Sequence, residues 1–180
     1  PAAADILPSV TVLLPVRDEA GELPSLADAM ARLDYPAEKL DIKLLLEEGD
    51  QATIAEAFRL NLDRRFECVI IPNGGPKTKP KALNYGLAAA RGELVVIYDA
   101  EDSPEADQLR KAAAAFAHAG ADLACLQARL NFYNADENFL TRLFALEYAL
   151  WFDLLLPGLQ RLRMPIPLGG TSNIFRTDIL

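Results

Sequence analysis

Val10–Pro15, Leu40–Leu46, Phe66–Ile71 and Leu94–Tyr98 are short, apolar, β-favouring runs, and a segment with helical signals separates each from the next. No other feature constrains the fold as tightly. Strands that alternate with helices at this pitch imply right-handed crossovers, hence a mostly parallel sheet with helices on both faces. Helices are expected at Leu23–Leu33, Ala52–Leu62, Lys81–Ala90 and Glu105–Ala119, and a further strand at Leu123–Leu130. The fold class is α/β. With 180 residues, 51% hydrophobic and 24% charged, the chain can bury the core of one ordinary domain.

Several of these strands end in carboxylates. Asp18-Glu19 follows the first, Glu47-Glu48-Gly49-Asp50 the second, and Asp99-Ala100-Glu101-Asp102 the run Leu94–Tyr98. Parallel strands send their carboxyl ends to one edge, where open α/β sheets place their ligand crevice. Acids gathered there repel one another unless a cation or hydrogen-bond donors offset them. Asp99 and Glu101 therefore suggest a divalent metal site that holds a diphosphate. The plainer alternative is a solvated acidic turn, with Asp102-Ser103-Pro104-Glu105 opening the next helix. Gly74-Gly75-Pro76-Lys77-Thr78-Lys79-Pro80-Lys81 sets lysines opposite the acids, on glycines that let backbone approach a ligand. It lacks P-loop spacing, and alone it would read as a solvated basic loop.

The net charge of −8 argues against a nucleic-acid partner, which needs a basic stripe. A local metal still allows nucleotide-diphosphate binding. Cys68 and Cys125 lie in apolar runs and read as small buried hydrophobes, consistent with a reducing compartment. His118 has no triad or zinc partner. No secretory signal is visible, and the start at Pro1-Ala-Ala-Ala-Asp5 and the end at Leu180 read as a piece of a longer polypeptide. Phe139–Leu156 is almost continuously apolar, but Arg142, Glu147 and Asp153 argue against a membrane span. A core helix is expected, with an interfacial helix on a membrane or a missing membrane domain as the alternative.

Val-Thr-Val-Leu-Leu-Pro-Val-Arg-Asp-Glu (10–19) resembles the opening strand and loop of family-2 glycosyltransferases, and Lys79-Pro80-Lys81-Ala82-Leu83-Asn84-Tyr85-Gly86 resembles their Lys-x-x-Ala-Leu-Asn helix. Asp99-Ala100-Glu101 is similar to their Asp-x-Asp metal motif, with Glu in third place. Leu123–Gln127 and Leu168–Arg176 resemble segments of the processive, cellulose-synthase-like branch. The matches run in order over essentially the whole chain. The resemblance implies a GT-A nucleotide-sugar-binding fold over residues 1–180, with residues 1–130 as the donor part and 131–180 as the start of the acceptor side. It implies Pro15, Arg17 and Glu19 at the nucleotide base, Glu48 or Asp50 at base or ribose, and Lys81 near the nucleotide. Asp99 and Glu101 would serve ribose, metal and diphosphate, and Gly169, Gly170, Thr171 and Ser172 would border sugar and acceptor. Glu47-Glu48-Gly49-Asp50 replaces the usual Asp-Asp-x-Ser-x-Asp, which leaves open which acid acts.

The activity implied by this resemblance is an inverting transfer of a hexose from a UDP- or GDP-sugar to a glycan or lipid-linked acceptor, assisted by Mg2+ or Mn2+. The parent would be membrane-bound through segments outside this chain, with this domain on the cytoplasmic side. The Thr-Glu-Asp motif that supplies the family's general base is not in the sequence, so the catalytic base is expected beyond Leu180 and the fragment is expected to bind donor without turnover. A sugar-1-phosphate nucleotidyltransferase is the first rival, but Pro15-Val16-Arg17-Asp18 lacks the glycine-rich loop it would want. A non-catalytic binding module using the Phe139–Phe152 face is the second.

Overall fold

The computed structural model describes residues 7–180. The expectation for the Pro1–Asp5 start lies outside the described residues. The elements run β1 (Val10–Val16), α1 (Leu23–Ala31), β2 (Leu40–Glu47), α2 (Gln51–Arg59), β3 (Phe66–Ile71), α3 (Lys79–Ala88), β4 (Leu94–Ile97), α4 (Gln108–Ala119), β5 (Cys125–Gln127), α5 (Phe139–Ala149), α6 (Leu156–Arg161) and β6 (Asn173–Arg176). The described residues form two compact units, 7–126 with 173–180, and 127–172.

In the first unit the strands form a six-stranded sheet in the order β3-β2-β1-β4-β6-β5. β1 pairs in parallel with β2 and β4, β2 with β3, and β6 runs antiparallel to β4. The mostly parallel α/β sheet read from the sequence is therefore the fold found. Side chains alternate across it. Val12, Leu14, Ile42, Leu44 and Val96 face α1, α2 and α4 in the larger core, where Met30 and Phe116 are buried. Leu13, Leu45, Ile71 and Val95 meet Ala82 of α3 on the other face. Helices thus cover both faces, and β1, β2 and β4 are buried almost throughout, while the edge strands β3 and β5 are mostly half-buried.

A polar pin locks the amino-terminal edge. Thr11 Oγ1 accepts from Arg91 N at 3.0 Å and Gly92 N at 2.8 Å and donates to Asp41 Oδ2 at 2.9 Å. Beside it Lys43 is fully buried, with its ammonium 2.8 Å from Asp41 and 2.6 Å from Glu67.

Three expectations need correction. α4 begins at Gln108, not Glu105, because Asp102 is used in a turn: its carboxylate accepts from Asp99 N at 2.7 Å, and its own N–H donates to Asp99 O at 3.1 Å. β5 covers only Cys125–Gln127 of the expected Leu123–Leu130. The third correction falls in the second unit, where α5 has no buried residue. Phe139 is 82% exposed and Leu146 67%, so the expected core helix is an exposed one.

Within that second unit, Asn138 caps α5 by accepting from Leu140 N and Thr141 N, and Thr141 Oγ1 accepts in return from Asn138 N at 3.1 Å. The helix widens to a π segment at Leu150–Leu155 before α6. Pro157 follows directly; its ring crowds the carbonyl one turn back, and the wider winding relieves that clash. The Phe132 and Tyr148 rings meet at a tilt with centroids 4.5 Å apart, and Arg129 pairs with Asp153 at 2.8 Å. Among the described residues no helix is long and apolar enough to cross a membrane. Both cysteines are free and half-buried, and burial pushes the Cys125 thiol up to about 11.

Candidate donor-binding site

The chain winds outward from β1 to β2 and β3, then crosses to the other side of β1 to lay down β4. β1 and β4 therefore flank the switch point of the sheet, where a crevice opens at the strands' carboxyl ends. A cleft of about 290 Å3 occupies this place. Pro15, Arg17 and Glu19 line it from the end of β1, and Asp99, Ala100 and Glu101 from the end of β4. Leu45 and Glu47 form its floor on β2; Lys77, Thr78, Lys79 and Ala82 close it from the entry of α3. A larger concavity of about 400 Å3 lies at the opposite edge, by Ser9, Asp41, Arg65 and Arg91. Its Arg65 and Arg91 are already paired with Asp63, Glu67 and Asp41, and the smaller cleft is the candidate site.

Acid crowding is real at the smaller cleft. Burial, followed by repulsion from Glu101 and Asp99, pushes the Glu19 carboxyl above the ordinary Glu range, although Arg17 N–H donates to it at 3.3 Å. On the opposite wall the Lys79 ammonium rests on Asp99. α3 starts there with Pro80 in its first turn, and its N-terminus brings partial positive charge to the same wall. The cleft thus has an acidic side that wants a cation and a basic side that suits phosphate.

Not every residue singled out in the sequence lines the cleft. Glu48 accepts from Asn73 N at 2.9 Å. Asp50 caps α2 by accepting from Thr53 N at 3.1 Å and ties down the β1 loop by accepting from Asp18 N at 2.6 Å. Burial alone would raise the Asp50 carboxyl; hydrogen bonds from Thr53 and Asp18 and the Arg17 charge together hold it below the ordinary range. Lys81 donates to Pro72 O at 2.8 Å and stands 3.6 Å from Glu47. Gly169, Gly170, Thr171 and Ser172 belong to the second unit. There the Gln127 amide holds them, accepting from Gly169 N at 2.6 Å and donating to Thr171 O at 3.1 Å. Ser172 takes a φ of +54°, strained for a residue other than glycine.

Glu47, left open among the acids of the 47–50 run, lines the cleft, as do Lys77 and Lys79 of the loop set opposite the acids; Thr78 between them carried no expectation of its own. Glu47 is 4% exposed, and its Oε2 makes no hydrogen bond. Strand alternation was the signal for it, because Glu47 shares a face with Leu45 while Glu48 points away. Pro80 was the signal for Lys79, since a proline in the first turn starts the helix two residues earlier than its apolar pattern does.

Among the described residues no group of three or more His, Cys, Asp or Glu side chains is arranged to hold a metal ion. Asp99 and Glu101 nonetheless provide two hard oxygen donors on one wall. Mg2+ takes one or two carboxylates and completes its shell with water and phosphate oxygens, so it needs no all-protein cage. Mn2+ takes the same kinds of donor. An ammonium already seated on Asp99 shows that this carboxylate attracts a positive partner. The donor set fits such a cation.

This is a mostly parallel α/β sheet with a charged crevice at its switch point, and comparison with known proteins narrows its class. The chain belongs to a glycosyltransferase family: the family model described as glycosyltransferase like family 2 matches residues 8–180. It is 32% identical over 101 residues to the probable glycosyltransferase YdaM of Bacillus subtilis (strain 168), covering 55% of this chain and 24% of that protein. It is 28% identical over 144 residues to glucomannan 4-beta-mannosyltransferase 1 of Oryza sativa subsp. japonica, covering 76% of this chain and 27% of that protein. The mannosyltransferase PcManGT from Pyrobaculum calidifontis, solved in complex with GDP-Man and Mn2+, matches with a TM-score of 0.60 at 26% identity. That match covers 72% of this chain and 37% of the other. The chain spans about a quarter of the length of the two relatives matched by sequence. The GT-A-type fold implied by the motifs is the fold found.

Proposed function

We propose that this chain is the donor-binding part of a metal-assisted, inverting glycosyltransferase that moves a hexose from a UDP- or GDP-sugar to a hydroxyl of a glycan or lipid-linked acceptor. The observation that carries this reading is the cleft at the β1/β4 switch point, with Glu19, Asp99 and Glu101 facing Lys77, Lys79 and the start of α3. The family membership and the nucleotide-sugar complex of the mannosyltransferase neighbour support it.

Each wall has a role in this reading. Pro15, Arg17 and Glu47 hold the nucleoside; the buried Glu47 oxygen, which makes no hydrogen bond and has only the Lys81 ammonium 3.6 Å away, suits a base N–H such as that of uracil or guanine. Lys77 and Lys79 meet the diphosphate, and Asp99 and Glu101 hold the divalent cation. When bound, that cation offsets the charge that grows on the leaving diphosphate. Lys79 moves from Asp99 to phosphate as the donor enters. Gly169–Ser172 border sugar and acceptor, a role carried by motif resemblance. The carboxylate that takes the acceptor proton is supplied from outside this sequence, so the isolated chain binds donor with little transfer.

The whole protein, in the same reading, works at the cytoplasmic face of a membrane in polysaccharide synthesis. The exposed apolar side chains of α5 and of the π segment Leu150–Leu155, and the glucomannan 4-beta-mannosyltransferase relative, support this. Calorimetry with UDP, GDP and their sugars, with and without Mn2+ or Mg2+, tests the core claim. Metal-dependent binding that Asp99→Ala lowers at least about tenfold is expected, as for a lost charge-assisted contact. Absence of metal-dependent heat with every nucleoside diphosphate refutes it.

A further inference from the structure

The segment between β3 and α3 gives Lys77 and Thr78 to the cleft, yet residues 72–78 are all exposed. Gly74 and Gly75 have φ of +139° and +67°, which glycine adopts without strain. A segment with so little burial has no packing reason to keep one position. What holds it is polar. Glu48 grips it twice: its N–H donates to Ile71 O at 2.9 Å, and its carboxylate accepts from Asn73 N at 2.9 Å. The carbonyl of Glu48 in turn accepts from Gln51 Nε2 at 2.8 Å, at the start of α2. Gly49 lets the segment lie close: a Cβ there would stand 3.1 Å from Asn73 Oδ1 and 3.3 Å from Lys77 Nζ. Two cations complete the tether, Lys81 on Pro72 O and, from the cleft wall, Arg17 on Lys77 O.

The geometry points to Glu48 as a positioning residue: through the Asn73 N–H its carboxylate holds residues 72–78 so that Lys77 lines the cleft, and it does not itself touch the nucleotide. This rests on the nucleotide-diphosphate reading above and separates two roles that the acidic run 47–50 left together. Glu47 faces the ligand, and Glu48 holds the lysine segment. An anchor acts on the ligand only through its phosphates, whereas a base or ribose contact acts through the nucleoside. An anchor also steadies the segment when no ligand is present.

The test uses Glu48→Ala, which removes the acceptor, and Glu48→Gln, which keeps an acceptor for Asn73 N–H without the charge. Limited trypsin digestion is followed by fragment mass for cleavage after Lys77. Cleavage there should be about tenfold faster in Glu48→Ala, as for loss of one charge-assisted contact that limits local opening. Glu48→Gln should stay near the wild-type rate. In calorimetry with Mn2+, the ratio of UDP to uridine affinity, or of GDP to guanosine, should fall in Glu48→Ala while nucleoside affinity holds, and Glu48→Gln should restore it. Unchanged cleavage in Glu48→Ala, or equal loss of nucleoside and nucleotide affinity, overturns the inference. If Glu48→Ala unfolds, Glu48→Gln decides alone: loss of nucleoside affinity marks a direct contact, and retention marks an anchor. If the wild type binds no nucleotide at all, the proposed function fails, while the cleavage comparison still decides the role of Glu48.

Discussion

Gly92 offers a sharp quantitative test of how the sheet is assembled. A Cβ at this position would stand 2.3 Å from Thr11 N, 2.7 Å from Val10 C and 2.8 Å from Leu94 O. All three are backbone atoms of adjoining strands, so no side chain can swing aside. Gly92→Ala forces the Arg91–Glu93 turn away from β1. That movement pulls the Arg91 and Gly92 N–H groups off Thr11 Oγ1. Two lost hydrogen bonds cost about 2 kcal/mol, and residual overpacking adds about 2 more. The stiffer unfolded chain of the alanine variant returns about 0.7 kcal/mol. The net loss is about 3 kcal/mol, or roughly 10 °C in Tm for a chain of this size. Urea unfolding measures it as a lower midpoint with the slope retained. Gly21→Ala is the control, since nothing lies within 4 Å of a Cβ there; its change should stay within about 0.5 kcal/mol. A Gly92→Ala loss below about 1 kcal/mol would refute the reasoning that the backbone here leaves no room for a Cβ.

Other expectations concern the cleft. Asp50→Ala removes the α2 cap and the acceptor for Asp18 N–H, and should cost about 1–2 kcal/mol in urea unfolding. Because the Asp50 carboxyl is held low, its stabilisation is present above the ordinary Asp range and is lost as pH falls through its depressed value; the wild-type advantage over Asp50→Ala should shrink in acid. Glu19 runs the other way. Its carboxyl is raised, so the favourable state is the protonated one, and stability is lost as pH rises through that raised value. Glu19→Gln should therefore gain Tm over wild type from about pH 4 to about pH 8, and a pH-independent difference would count against acid crowding. Lys79→Met should lower UDP or GDP affinity about tenfold and leave nucleoside affinity unchanged, read by calorimetry.

The parallel core was legible because its strands are β-branched, apolar and closed by prolines or acids, and because the intervening helices follow their own period. Val10–Val16 and Phe66–Ile71 emerge within a residue of their expected bounds. What was not legible depends on side chains that compete with backbone or on contacts distant in sequence. Asp102 and Pro104 look like a helix start, but Asp102 spends its carboxylate on Asp99 N–H and delays α4 to Gln108. The apolar pattern of Phe139–Leu156 predicts a helix correctly; burial needs a partner surface, which a pattern cannot supply. At the cleft, the end-of-strand acids were visible as clusters, and Asp99 and Glu101 do line it. Which acid of the 47–50 run points inward was hidden by reading the run as one polar loop. β2 in fact continues through Glu47, so its alternation reaches one residue further than the apolar run.

The long excursion between β5 and β6 leaves the sheet from one strand and returns on its immediate neighbour. Its two ends are consequently fixed about 5 Å apart, one strand spacing, by the ladder itself. A detour moored this way can lengthen, shorten or change its chemistry over evolutionary time while the parallel strands keep their alignment. Sequence change can therefore accumulate there without disturbing the strand ends that frame the cleft.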